Sequence, residues 1–304
     1  MNEPQAPIPK TDPASVEMRE RAKAEGVETI WDRYEAFGTQ CKVGELGICC
    51  SICHMGPCNL GLPGSKRTKV GVCGATIDNI VARRLARGMA AGSAAHTDHG
   101  RAVASLLLKT ARGEAPGYRI ADEAKLNSLA DELGIEREGK PVEQVAEEVA
   151  RACLSAFGAQ EDGIKFVERA PEKQQEDWEK LDITPRGIDR EVVDVMHRTH
   201  MGVDSDYKTI ILGAMRSTLA DGWGGSMIAT DLQDVLFGTP KPVRAEVNLG
   251  VLGEDTVNIL VHGHEPALAE AIADVANDPA MLERAKEVGA SGITVAGICC
   301  TANE

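Results

Sequence analysis

The sequence predicts a mixed fold: an all-α N-terminal region that wraps a cysteine-bound group, followed by a parallel β/α unit. Three observations predict it. Between residues 75 and 220, apolar side chains recur at spacings of three and four, the period of one helix face. Six of the nine cysteines crowd into the glycine-rich, non-periodic stretch from Cys41 to Cys73. After Pro242, two short β-branched runs flank a helical one, the strand–helix–strand order of a parallel pair.

Met1 to Ala14 is polar, carries four prolines and has no apolar run, so it is expected to be a tail and not a secretory leader. Pro13 to about Ala36 is patterned as a helix, and the cysteine stretch that follows as loop. Ala75 to Ala91 predicts a helix through Ile77, Ile80, Val81 and Leu85. Ala94 to Arg112 predicts another through Val103, Leu106 and Leu107. Residues 121–158 predict two more. Leu126, Leu129 and Leu133 mark the first, and Val142, Val145, Val149, Cys153 and Phe157 the second, in whose stripe Cys153 is a small buried apolar residue. The charged segment 159–190, with Pro171 and Pro185, is expected to be a loop or a poorly packed helical insert. Helical patterning resumes from Arg190 to about Ala220, where Gly222-Trp-Gly-Gly225 interrupts it. Thr256 to Val261 predicts a strand, His262 to Pro266 a turn, Ala267–Ala276 and Met281–Val288 helices, and Gly292–Gly297 a second strand. A parallel sheet needs helices on both faces. None follows Glu304, so the sequence is expected to be cut from a longer one.

Composition narrows the function. The net charge of −14 excludes the basic footprint that nucleic acid requires, and 3% aromatics leave few stacking platforms for single strands. With 43% hydrophobic residues the cores must come from Ala, Val, Ile and Leu. No apolar run reaches the ~18 residues of a membrane span. Without an export signal, clustered cysteines point to metal and not to disulfides, and the location expected is cytoplasmic.

Three constellations carry chemistry. Cys50, Cys53, Cys58 and Cys73 are three closely spaced thiols and one distant one. One loop can wrap several corners of a [4Fe–4S] cube while the far residue closes the cage. Zinc is the alternative, although no second Cys-x2-Cys pair exists to complete a ribbon. Cys41 and Cys49 are left over; either they are free or structural thiols, or a two-fold dimer doubles them into a four-ligand site. His262, His264, Cys299 and Cys300 lie at the C-terminal ends of the two predicted strands, the edge where α/β sheets bind ligands. They suggest a mixed-ligand metal site or, for the histidines alone, ordinary loop residues. His96 and His99 share a helix face and could relay protons, or simply cap and neighbour a helix end.

Together with Trp31-Asp-Arg33, Gly71-Val-Cys-Gly-Ala75, Ala94-Ala-His96 to His99-Gly, Asp221-Gly-Trp-Gly-Gly225, Thr230-Asp-Leu-Gln-Asp234, Leu236-Phe-Gly-Thr-Pro240, His262-Gly-His264 and Gly297-Ile-Cys-Cys-Thr301, these residues resemble the catalytic subunit of anaerobic nickel–iron carbon monoxide dehydrogenases from about Trp31 to Glu304. The resemblance implies a fold like that of hybrid-cluster proteins and CO dehydrogenases, a helical cluster domain followed by Rossmann-like domains. On it the chain divides into a tail and first helix (1–30), a helical iron–sulfur domain (31–205) and an incomplete Rossmann-like domain (206–304). It implies CO + H2O → CO2 + 2 H+ + 2 e−, with electrons leaving through [4Fe–4S] clusters to a ferredoxin-like acceptor. Cys50, Cys53, Cys58 and Cys73 match the ligands of the family's B cluster. Cys41 and Cys49 match those of the D cluster, [4Fe–4S] or [2Fe–2S], shared across a homodimer. His264 and Cys300, with Cys299 as the alternative, match ligands of the Ni–Fe–S C cluster, whose remaining ligands would lie past Glu304. His96, His99 and Asp221 match proton-handling and acidic residues near that cluster; Ala102 stands where a third histidine is often found. Acetyl-CoA synthase or hydrogenase are the implied larger partners, and a fragment of this extent is expected not to oxidise CO by itself. The rivals are a hybrid-cluster protein reducing hydroxylamine and a non-catalytic electron-transfer module.

Overall fold

A computed structural model describes residues 13–39, 41–61, 66, 68–160, 163–239, 252–262 and 266–299. The tail to residue 12, His264 and Cys300 lie outside the described residues. The helix expected from Pro13 to Ala36 is two, α1 (Pro13–Ala24) and α2 (Ile30–Ala36). Gly26 at φ 70° ends the first. The Thr29 N–H and Oγ both donate to Asp32 Oδ2, at 2.7 and 2.6 Å, and start the second. A short helix α3 (Lys42–Glu45) and an antiparallel pair, β1 (Cys49–Cys50) with β2 (Cys58–Asn59), build the cysteine loop.

The two helices expected between Ala75 and Arg112 are one, α4 (Ile77–Ala111), 35 residues and roughly 50 Å long. Thr76 caps it, its N–H donating to Asn79 Oδ1 at 3.1 Å. No proline interrupts the run, and Ser93 Oγ donates back to Met89 O at 3.0 Å and across to Ser217 O at 3.2 Å. The buried face of α4 reads Ala82, Ala86, Ala90, Ser93, Thr97, Gly100, Ala104, Leu107. So small a surface lets neighbouring helices approach closely, the physical counterpart of the low aromatic content.

Around α4 pack α6 (Val142–Gly158), α8 (Ile188–Arg198), α9 (Tyr207–Ala220) and α10 (Ser226–Phe237), with α5 (Glu123–Glu132) against α6 and α10. Val145, Val149, Cys153 and Phe157 are buried as their spacing predicts. Burial pushes the Cys153 thiol up to about 12, which makes it inert. Segment 159–190 holds a 3₁₀ turn at Lys165–Arg169 and a surface helix α7 (Glu172–Lys180), and Phe166, Val167 and Ile183 anchor both its ends in the core. Gly222-Trp-Gly-Gly225 does not interrupt the helix; it widens it into a π turn, Asp221–Gly225, through which α9 runs into α10. The boundary expected at residue 205 falls between α8 and α9, which pack together and both lie on α4.

The last described elements are β3 (Val257–His262), α11 (Pro266–Ala276), α12 (Pro279–Glu287) and β4 (Ile293–Cys299). The strands pair in parallel, as the sequence predicts, with Val257 beside Ile293, His262 beside Cys299 and an irregularity after Ile259. No described helix is long and apolar enough to cross a membrane.

Candidate functional site

Cys50, Cys53, Cys58 and Cys73 line one cavity with Ile52, Gly71, Ala75, Ile80, Arg83 and Met201. The β1–β2 register places Cys50 opposite Cys58, so the two share a face, while Cys49 opposes Asn59 on the other. Two glycines let the loop close. A Cβ on Gly56 would stand 2.9 Å from Cys50 O, and one on Gly71 3.4 Å from Cys58 Sγ. All four cysteines are free thiols.

Four thiols lining one cavity fit the donor set of an iron–sulfur cube, and zinc also takes four thiolates. A cube keeps each thiolate at its own corner. The Arg83 Nη1 lies 3.5 Å from Cys73 Sγ. Burial pushes the Cys73 thiol up, but the Arg83 guanidinium and the N–H groups of Ala75 and Gly202 outweigh it and hold the pKa below the ordinary thiol value. Arg83 was not singled out by sequence. Its signal is a spacing of three from both Ile80 and Ala86, an arginine on the buried face of the helix.

Cys41 and Cys49 are not among the described residues that line that cavity. Cys41 is exposed and stands before α3, where the N–H groups of Gly44 and Val43 lower its thiol pKa.

A second cluster forms where α4 meets the π turn. His96 Nδ1 lies 3.0 Å from Asp221 Oδ2, and Ser226 Oγ donates to Asp221 Oδ1 at 3.0 Å. A carboxylate only accepts, so in this pair His96 Nδ1 is the donor. One turn further along α4, the Gln233 carboxamide Nε2 lies 3.1 Å from His99 Nε2. With the amide donating, His99 carries its own proton on Nδ1. The glycines make this meeting geometrically feasible: a Cβ on Gly225 would stand 2.5 Å from Thr97 Cα, and one on Gly100 2.4 Å from Gly225 O. Ser226 and Gln233 lie more than a hundred residues from the histidines; neither was read as part of the site, although Gln233 stands in the Thr230-Asp-Leu-Gln-Asp234 motif.

Of the third constellation, the backbone brings His262 beside Cys299 at the C-terminal ends of the parallel strands. His264 and Cys300 lie outside the described residues.

A helical body with a cysteine-lined cavity, joined in sequence to a parallel β/α unit, defines the class of this protein: a cysteine-rich α plus α/β protein. The chain belongs to the Prismane/CO dehydrogenase family, which matches residues 48–304. It is 56% identical over 293 residues to carbon monoxide dehydrogenase 1 of Methanosarcina mazei, covering 96% of this chain and 46% of that one. It is 41% identical over 299 residues to the carbon monoxide dehydrogenase/acetyl-CoA synthase subunit beta of Moorella thermoacetica, covering 96% of this chain and 43% of that one. Among solved structures, the nickel-free carbon monoxide dehydrogenase of Thermococcus sp. AM4 superposes with a TM-score of 0.81 at 46% identity, covering 97% of this chain and 48% of that one. The chain thus spans about half the length of the curated relatives it matches.

Proposed function

We propose that this chain supplies the electron-transfer clusters and part of the active site of an enzyme that oxidises carbon monoxide with water to CO2, two protons and two electrons. The observation that carries this is the convergence of Cys50, Cys53, Cys58 and Cys73 on one cavity in a chain so similar to carbon monoxide dehydrogenases. Those four cysteines would hold a [4Fe–4S] cluster, and His264 with Cys300, or Cys299 in its place, would ligate a nickel–iron–sulfur cluster. That cluster, when bound, supplies the site for CO and the activation of water. His96, held by Asp221, and His99, beside Gln233, would handle the released protons. The electrons pass to a ferredoxin-like acceptor, and acetyl-CoA synthase is a fitting larger partner. Hydroxylamine reduction is less supported, since the matched relatives are named carbon monoxide dehydrogenases.

The test is CO-dependent viologen reduction and metal analysis of the anaerobically purified full-length gene product. Nickel, iron and CO-dependent reduction are expected together. Cys58→Ser should remove about four irons per chain and suppress electron transfer. Full metal content without CO-dependent reduction would refute the activity.

We propose further that Cys41 and Cys49 from two chains complete a shared cluster, making the protein a homodimer. The Cys41→Ser, Cys49→Ser double variant is expected to lose the iron of one cluster per dimer. Unchanged iron per dimer would rule this out.

A further inference from the structure

We infer that Arg83 sets the reduction potential of the cluster held by Cys50, Cys53, Cys58 and Cys73, raising it by stabilising the reduced form; this presupposes the cluster assignment above. Arg83 is 2% exposed, one of the largest fully buried side chains. Nη1 lies 3.5 Å from Cys73 Sγ and Nη2 donates to Asp204 O at 2.8 Å. The Nε–H, also buried, has no acceptor among the described residues. Buried donors rarely go unmatched, and the remaining lining of the cavity offers apolar groups and sulfur. Sulfur of an iron–sulfur group is the acceptor that would satisfy it.

Charge gives the direction. Among the described residues lining the cavity Arg83 carries the only cationic side chain. Four thiolates on a cube leave a net negative group, and adding one electron makes it more negative with no bond formed or broken. A buried guanidinium beside it favours the more charged, reduced state, and hydrogen bonds to sulfur act in the same sense. Guanidinium does not release its protons, so the electron arrives without a proton from Arg83. The hydrogen bond from Nη2 to the Asp204 carbonyl fixes the side chain, so the donor is held in place and not recruited on reduction.

The experiment is an EPR-monitored redox titration of the full-length protein with dithionite as reductant, on wild type, Arg83→Gln and Arg83→Lys. We expect iron content to be retained and the equilibrium constant for reduction to fall about tenfold in Arg83→Gln, 59 mV lower for a one-electron couple. Arg83→Lys, which keeps the charge but not the planar fork, should fall between. A purely structural arginine would lower the melting temperature and leave the midpoint where it was; iron retained with an unchanged midpoint therefore overturns the inference. If Arg83→Gln fails to fold, ¹⁵N-arginine-labelled wild type decides: the reduced cluster should show a hyperfine coupling to arginine nitrogen, and its absence refutes the role. Wild type with no cluster signal at all would instead refute the ligand assignment.

Discussion

Alanine at Gly100 is expected to cost the protein about 3 kcal/mol, the upper range for forcing atoms into a filled core, and to lower the melting temperature by roughly 6–12 °C. The new Cβ would stand 2.4 Å from Gly225 O and 3.1 Å from Gly225 C, both backbone atoms that cannot rotate aside. Either α4 or the π turn must move, and that movement separates His96 from Asp221, now 3.0 Å apart. The control lies eight residues earlier on the same helix. Gly92 is exposed and has nothing within 4 Å of its would-be Cβ. Gly92→Ala should therefore be neutral or stabilise by about 0.5–1 kcal/mol through helix propensity. Thermal unfolding of both variants checks the pair of outcomes; equal melting temperatures would show that the close approach has no energetic weight.

Glu191→Gln is expected to destabilise the helical body by about 3–5 kcal/mol, because it removes the buried carboxylate that pairs with Arg216 and Arg186 and leaves them only Asp194. The Glu191 side chain is 0% exposed. It accepts from the Arg186 N–H at 2.8 Å, from Arg186 Nε and Nη2 at 2.9 Å each, and from Arg216 Nε at 2.7 Å. Arg216 also bonds Asp194 Oδ2 at 2.9 Å, and Arg198 Nε bonds it at 2.7 Å, so the loss spreads through one network. Burial pushes the Glu191 carboxyl up, but the two guanidiniums and the Arg186 N–H outweigh it and hold it below the usual range. A depressed carboxyl stabilises the fold above its unfolded pKa, about 4.3, and that contribution is lost as pH falls towards the folded value. Wild type should thus destabilise steeply in acid, and Glu191→Gln less steeply over the same window. Denaturant unfolding from pH 7 to pH 3 measures both. A loss under about 1 kcal/mol at pH 7 would contradict the role.

Legibility followed the range of each interaction. Local patterns were readable: Val145, Val149, Cys153 and Phe157 of the stripe are buried, and the β-branched runs expected at 256–261 and 292–297 fall on strands at 257–262 and 293–299 that pair in parallel. Breaks were misjudged between Ala91 and Ala94 and at Gly222-Trp-Gly-Gly225. Gly92 does not divide α4, and Gly222-Trp-Gly-Gly225 does not end a helix, because in both cases backbone hydrogen bonding continues through the glycine. Gly26, in contrast, does end α1, since its positive φ is incompatible with continuing the helix.

The chain by itself determined its element types, its small-residue core and the thiols available to a metal group. Periodicity and composition are properties of neighbours in sequence, and they need no partner to be read. Only the tertiary structure decided that Arg83 is buried against the cysteine cavity, that Cys50 and Cys58 share a face from which Cys49 is turned away, and that Asp221 reaches His96 across 125 positions. The last depends on how closely two distant backbones approach. That distance is set by the atoms glycine lacks at positions 100 and 225, and those atoms leave no mark on the pattern of the residues around them.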